Sequence, residues 1–257
     1  MPDRPIFNDL TSPDRSHGWR RVIFSFGIWQ IIHRFWIRLR VEGWGNIPAE
    51  GPLIMMGNHV SAIDPLVMIS MYPGRDIVPM AKIDAFTQPF FRYFVGHWGA
   101  IPVDSGAADR RALRLAIEAV RRGDVVMLYA EGTRSKTGMI RGQEGSAYIA
   151  TRTNATVVPV AIWGGQNFPR VWWQEGRRAH IMLRFGQPFR FEWEGRARQY
   201  LRQMTDEAMY RIAELLPPDL RGVYADPAQA TADLIVPCVD WQPTPETHIP
   251  SRVLIHD

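Results

Sequence analysis

A single cysteine, Cys238, stands in a chain of 257 residues. That excludes an intrachain disulfide and a cysteine-rich zinc site. Long apolar runs are missing too, since nothing reaches the ~18 uninterrupted apolar residues that a spanning helix needs. The opening residues lack a signal-peptide pattern: Pro2, Pro5, Pro13, Asp3, Asp9 and Asp14 break it up, and no apolar stretch ends in small cleavage-site residues. These two absences lead us to expect the cytoplasm or its membrane surface. No internal repeat or low-complexity tract is evident. His97 and His180 have no metal-site spacing to His59, so no metal centre is expected.

What is present is an ordinary globular balance of 46% hydrophobic and 22% charged residues, enough for one large domain with a full core. Thirty Lys and Arg and a formal charge of +4 make the surface modestly basic. That suits an anionic partner such as a phosphorylated substrate, an acidic lipid surface or a nucleic acid, or simply a well-solvated surface. Ten Trp and twelve Phe are more informative, because amphipathic aromatics favour membrane interfaces.

Residues 1–18 are polar and proline-broken, and read as a flexible arm. Residues 19–40 carry Trp19, Phe24, Trp29, Phe35 and Trp36 between basic ends (Arg20, Arg21; Arg34, Arg38, Arg40). That pattern predicts an amphipathic helix lying in the headgroup region, with a helix packed on the core as the alternative. Residues 41–222 form the main domain. Within it, apolar runs at 53–56, 77–81, 125–129, 156–163 and 181–186 read as strands, and 109–122 and 196–216 as amphipathic helices. The Ile101-Pro102-Val103 run reads as an edge strand, because proline cannot donate to a ladder. This rhythm predicts an α/β fold, a mixed and mostly parallel sheet flanked by helices. Trp172 and Trp173 among arginines read as a hairpin tip that touches a membrane or covers the core. Residues 223–257, with five prolines, form a tail that wraps the surface or moves freely.

Chemistry concentrates where strands end. The first apolar strand leads into Gly57-Asn58-His59-Val60-Ser61-Ala62-Ile63-Asp64-Pro65. On a regular helix His59 and Asp64, five apart, would point to different faces; in a turn entering a helix they can meet. Asp64-Pro65 is equally a plain helix start. If the two side chains meet, His59 is a general base and Asp64 holds it. A His–Asp pair without a partner serine suits an external nucleophile, as when an acyl group passes from a thioester to an alcohol. The strand at 125–129 ends in Ala130-Glu131-Gly132-Thr133-Arg134-Ser135, where Arg134 offers paired donors to a phosphate and Gly132 and Thr133 leave donors open to an anion. Lys82 ends a third strand; a lone Lys there is usually just a solvated end.

Asn58-His59-x4-Asp64-Pro65 and Glu131-Gly132-Thr133-Arg134-Ser135, about seventy residues apart, resemble the first and third motifs of the 1-acylglycerol-3-phosphate (lysophospholipid) acyltransferase family, in the glycerolipid acyltransferase superfamily. Val158-Pro159-Val160 resembles its fourth motif. The resemblance covers roughly residues 40–225. It implies a glycerol-3-phosphate acyltransferase-like fold and acyl transfer from acyl-CoA or acyl carrier protein to a lysophospholipid, most simply 1-acylglycerol-3-phosphate, giving phosphatidate. His59 would be the base with Asp64. Asn58, Lys82, Glu131, Gly132, Thr133, Arg134 and Ser135 would bind substrate, and Val158, Pro159 and Val160 are acyl-pocket candidates. It implies no metal, no tightly bound cofactor, no nucleic acid, and a peripheral or monotopic place on the cytoplasmic membrane face. The second motif departs from the family: Gly99-Ala100-Ile101-Pro102-Val103-Asp104-Ser105 carries Ser105 where the family has a phosphate-site Arg. A different lysolipid or lipid alcohol is therefore the alternative acceptor, and a thioesterase or other hydrolase the alternative reaction.

Overall fold

The computed structural model describes Gly27 and residues 35–70, 75–86, 99–104, 109–244 and 254–256. In chain order the elements are β1 (Ile37–Glu42), β2 (Leu53–Gly57), α1 (Asp64–Ser70), β3 (Ile77–Lys82), β4 (Ile101–Val103), α2 (Arg110–Arg121), β5 (Val125–Tyr129) and α3 (Gly145–Thr153). Then come β6 (Thr156–Trp163), α4 (Arg170–Glu175), β7 (Ala179–Phe185), β8 (Phe189–Phe191), α5 (Leu201–Leu215), β9 (Ile235–Pro237) and β10 (Leu254–His256).

The strands form one sheet in the order β10-β1-β7-β6-β2-β5-β3-β4, with β8 and β9 attached beside β6. β2 pairs in parallel with both β5 and β6, and β3 in parallel with β5 and β4. β7 turns against β6, so β7, β1 and β10 run the opposite way. The sheet is thus mixed and mostly parallel, as the sequence predicts. Its central strands are buried on both faces, which is why β2, β5 and β6 read as continuous apolar runs.

One face carries Ile54, Met56, Val126, Leu128 and Val157 against α2, α3 and α5. The other carries Leu53, Met55, Met127, Val158, Val160 and Ile162, with Ile63, Val67 and Met68 from the α1 segment laid over them. Asp109 caps α2 by accepting hydrogen bonds from the Arg111 and Ala112 N–H groups.

Three expectations need correction. Residues 37–40 are not helical; they open strand β1, with Ile37, Leu39 and Val41 buried and Arg38 and Arg40 exposed. The Ile-Arg-Leu-Arg-Val alternation has a period of two, which suits a strand with one face on the core. Of the rest of the expected interfacial helix only Gly27, Phe35 and Trp36 are described, and they are helical; its other residues, like Ser105 and the aromatic stretch 87–98, lie outside the described residues. The main domain also does not end at 222. β9 pairs with β8 and β10 with β1, and the Trp44 indole donates to the Thr244 carbonyl at 3.1 Å, so parts of the tail belong to the sheet and its rim. Residues 170–175 form a short helix, not a hairpin tip. Among the described residues no helix is long and apolar enough to cross a membrane.

Candidate active site

The parallel run β6-β2-β5-β3 brings the carboxyl ends of these strands to one edge, where open α/β sheets hold their ligands. The turn after β2 brings His59 to Asp64, the first residue of α1, with Nδ1 and Oδ2 2.9 Å apart. The same Oδ2 accepts hydrogen bonds from the Val60 N–H at 2.8 Å and the Ser61 N–H at 2.7 Å. Asp64 is fully buried, and the His59 side chain is 16% exposed. Asp64 therefore both closes the turn and holds the imidazole. With a carboxylate at Nδ1, that nitrogen carries the ring proton, and Nε2 is left with a lone pair for a substrate.

The loop after β5 is tied to this turn. The Glu131 carboxylate accepts from the His59 N–H at 3.0 Å and from the Ile140 N–H at 2.9 Å. The Ser135 N–H donates to the His59 carbonyl at 2.8 Å. Burial pushes the Glu131 carboxyl up; its two backbone hydrogen bonds pull it down, and the charge of Asp64 adds to the upward push. Gly132 has φ +66°, where a side chain would be strained, and this lets the loop double back so that its N–H reaches the Tyr129 carbonyl at 3.0 Å.

Several expected substrate contacts are placed otherwise. Glu131 is buried, and both carboxylate oxygens hold backbone N–H groups, so it is a brace and not an open ligand. Asn58 is likewise buried. Its amide donates to the Ile162 carbonyl at 2.9 Å and accepts from the Ile162 N–H at 2.8 Å, stitching the end of β2 to β6. The Ser135 hydroxyl donates to the Gly138 carbonyl within its own loop. Thr133 and Arg134 are exposed beside His59's turn and stay open to a ligand; Gly132 is exposed too, but its N–H is taken by the Tyr129 carbonyl. Lys82 is also exposed on this edge, two strands from β2, or about 10 Å at ordinary strand spacing. Val158 and Val160 lie in the apolar face under α1, and Pro159 packs beside Gly186 near Leu215. All three are buried core residues. Among the described residues no three His, Cys, Asp or Glu side chains gather as a metal site.

Sequence reasoning passed over Tyr129, read only as the last residue of a strand. Its ring stacks on His59 with centroids 4.1 Å apart and planes 12° from parallel. The signal available was position: β5 is the neighbour of β2, and Tyr129 lies opposite Gly57, two residues before the histidine.

Known proteins agree with this reading of the fold. The sequence model of the Acyltransferase family matches residues 38–163. The 1-acyl-sn-glycerol-3-phosphate acyltransferase of Borreliella burgdorferi is 31% identical over 140 residues, 51% of this chain and 54% of that protein. The protein of the same name from Pseudomonas aeruginosa is 25% identical over 209 residues, 79% of this chain and 80% of its own. In three dimensions, the crystal structure of the 1-acyl-sn-glycerophosphate (LPA) acyltransferase PlsC from Thermotoga maritima has the same fold, with a TM-score of 0.57 and 23% identity over 80% of this chain and 85% of that one. The chain spans about half the length of the Borreliella relative. The matched stretch contains the His59–Asp64 turn, the Asn58 stitch and the Glu131 brace, and over residues 38–163 this chain carries a domain of the Acyltransferase family.

Proposed function

We propose that this chain transfers a fatty acyl group from an acyl thioester, acyl-CoA or acyl carrier protein, to the hydroxyl of a lysophospholipid, with 1-acylglycerol-3-phosphate as acceptor and phosphatidate as product. The observation that carries this reading is the His59–Asp64 hydrogen bond at the carboxyl end of β2, inside the family-matched region. Nε2 of His59 takes the acceptor's hydroxyl proton as the oxygen attacks the thioester carbonyl. The tetrahedral adduct collapses, expels the thiolate, and the imidazolium returns the proton to the sulfur. Asp64 keeps the imidazole in the required tautomer and steadies the imidazolium. Arg134, with Thr133, meets the acceptor phosphate. The reaction needs neither a metal nor a bound cofactor, and no nucleic acid takes part.

The test is radiolabelled acyl-CoA offered to a panel of lysolipids, with products separated by chromatography. Acceptor-dependent formation of phosphatidate supports the reading. Thioester breakdown that ignores the acceptor makes the protein a thioesterase, and turnover with another lysolipid or lipid alcohol moves the assignment to that acceptor. Ser105 bears on that choice. A charge-assisted contact to phosphate is worth about 1.5–3 kcal/mol, so Ser105→Arg is expected to lower KM for a phosphorylated acceptor by about tenfold. An unchanged or higher KM places the phosphate away from residue 105.

The work site for such an acceptor is the cytoplasmic face of the membrane. Supporting this, Trp36 packs on Phe168 and Trp172, and Trp172 on Trp173, at the end of the sheet where β1 begins and β6 leaves for α4, the same end as His59. Trp173 is 74% exposed, Phe35 is 57% exposed, and the exposed Arg170 and Arg177 flank the Trp172-Trp173 pair in the chain. Exposed tryptophans among arginines favour an anionic lipid surface. Replacing Trp172 and Trp173 together with alanine is expected to weaken sedimentation with anionic vesicles roughly five- to tenfold, as loss of buried aromatic area would. Unchanged partition would remove this face from the membrane contact.

A further inference from the structure

Asp64 is held unevenly. Its Oδ2 carries three hydrogen bonds, while its Oδ1 is buried with none. Two further buried polar atoms near it are also unpartnered, the Ser61 hydroxyl and the Tyr129 hydroxyl. These three atoms belong to one neighbourhood. Ser61 lies three residues before Asp64 in the same turn and donates its N–H to Oδ2. A Cβ added at Gly165 would meet the Ser61 Cβ at 3.2 Å and Asp64 Oδ1 at 3.6 Å. Tyr129 stacks on the imidazole that Asp64 holds, close enough to feel the carboxylate's charge. Burial, and then the charge of Asp64, push the Tyr129 phenol well above its ordinary range, so it remains a proton donor.

Three orphaned polar atoms, one an anionic acceptor and two rotatable hydroxyl donors, are costly apart and complementary together. Donation requires the two hydroxyls to close on Oδ1, directly or through one shared water, which is comfortable with two to four polar partners.

We infer that Tyr129 and Ser61 are positioning residues whose hydroxyls donate to Asp64 Oδ1, so that both oxygens of the carboxylate are fixed while the Tyr129 ring fixes the plane of His59. The phenol then has two tasks. Its ring limits tilt of the imidazole, and its hydroxyl stops the carboxylate from rotating and releasing Nδ1. Neither residue touches substrate; both act through Asp64 and His59. This role rests on the acyl-transfer reading only where activity is the readout.

Tyr129→Phe tests the hydroxyl alone, because it keeps the stacked ring; Ser61→Ala and the double variant complete the set. All are made in the full chain. The Nδ1–H proton of His59, assigned by its loss in His59→Ala, is read by NMR without substrate, and so is thermal unfolding. In Tyr129→Phe the resonance is expected to move upfield or broaden away and the unfolding temperature to fall. kcat is expected to drop about tenfold with KM within about twofold, the size of one hydrogen bond to a charged group. A phenol that is merely buried and unpartnered behaves oppositely: its removal leaves the resonance and kcat unchanged and raises stability. That outcome overturns the inference. Should the wild-type chain transfer no acyl group, the function proposed above fails, and the resonance and unfolding data still decide this one.

Discussion

Acyl transfer by His59→Ala is expected to fall about 10³-fold, within the ~10²–10⁴-fold range of a positioned general base. Its fold should survive the change. Asp64 keeps two of the three donors on Oδ2, the Val60 and Ser61 N–H groups, so the turn stays closed and α1 keeps its start. What is lost in stability is the stack on Tyr129 and one hydrogen bond, about 1–2 kcal/mol. The signature is therefore turnover down about 10³-fold with KM nearly unchanged and only that modest loss of stability. Asp64→Asn should give a similar loss by another route. With its NH2 in the place of Oδ2 the amide opposes Nδ1–H and the Val60 and Ser61 N–H groups donor to donor; with its oxygen there it accepts all three but brings no negative charge to steady the imidazolium. It should cost stability as well as rate, and that separates the two variants. Turnover near normal in His59→Ala would defeat the general-base assignment.

Much of this site was legible in the sequence because it lies where strands end. Five apolar runs gave β2, β3, β5, β6 and most of β7, and the turns after β2 and β5 held the unusual residues. The meeting of His59 with Asp64 could be proposed because a helix start five residues on leaves room for a turn. Less legible was what the polar side chains around it do. Asn58 and Glu131 look like substrate ligands in one dimension. In three they satisfy the backbone of Ile162, His59 and Ile140, partners up to 104 residues away that no local pattern identifies. Buried backbone N–H groups must be paired, and at the end of a strand the ladder no longer pairs them. Tyr129 was missed for a related reason: its partner lies on the adjacent strand, and strand order is a tertiary fact. The strand at 37–42 was different. Its two-residue alternation was visible, but the aromatic residues just before it suggested that a helix continued.

The brace at Glu131 yields the second large effect. Glu131→Ala leaves the N–H groups of His59 and Ile140 without their acceptor in a buried place. Each unsatisfied group costs about 1–3 kcal/mol, so a loss of roughly 2–5 kcal/mol in stability is expected, offset in part because a buried carboxylate is no longer desolvated. Activity of the folded fraction should fall further, because the His59 backbone is then held from the β5 side only by the Ser135 N–H. A displacement of about 1 Å at the base can cost about 10²-fold in kcat/KM. Glu131→Gln separates bracing from ligand binding. Its amide oxygen can accept from one N–H, but its NH2 faces the other, so it should fall between wild type and alanine in both stability and rate. A residue that only bound the acceptor would raise KM on either substitution and leave unfolding untouched. Stability and kcat falling together, with KM for the acceptor little changed, are the marks of a carboxylate that holds the catalytic turn in place; a rise in KM at constant stability would return Glu131 to the substrate site.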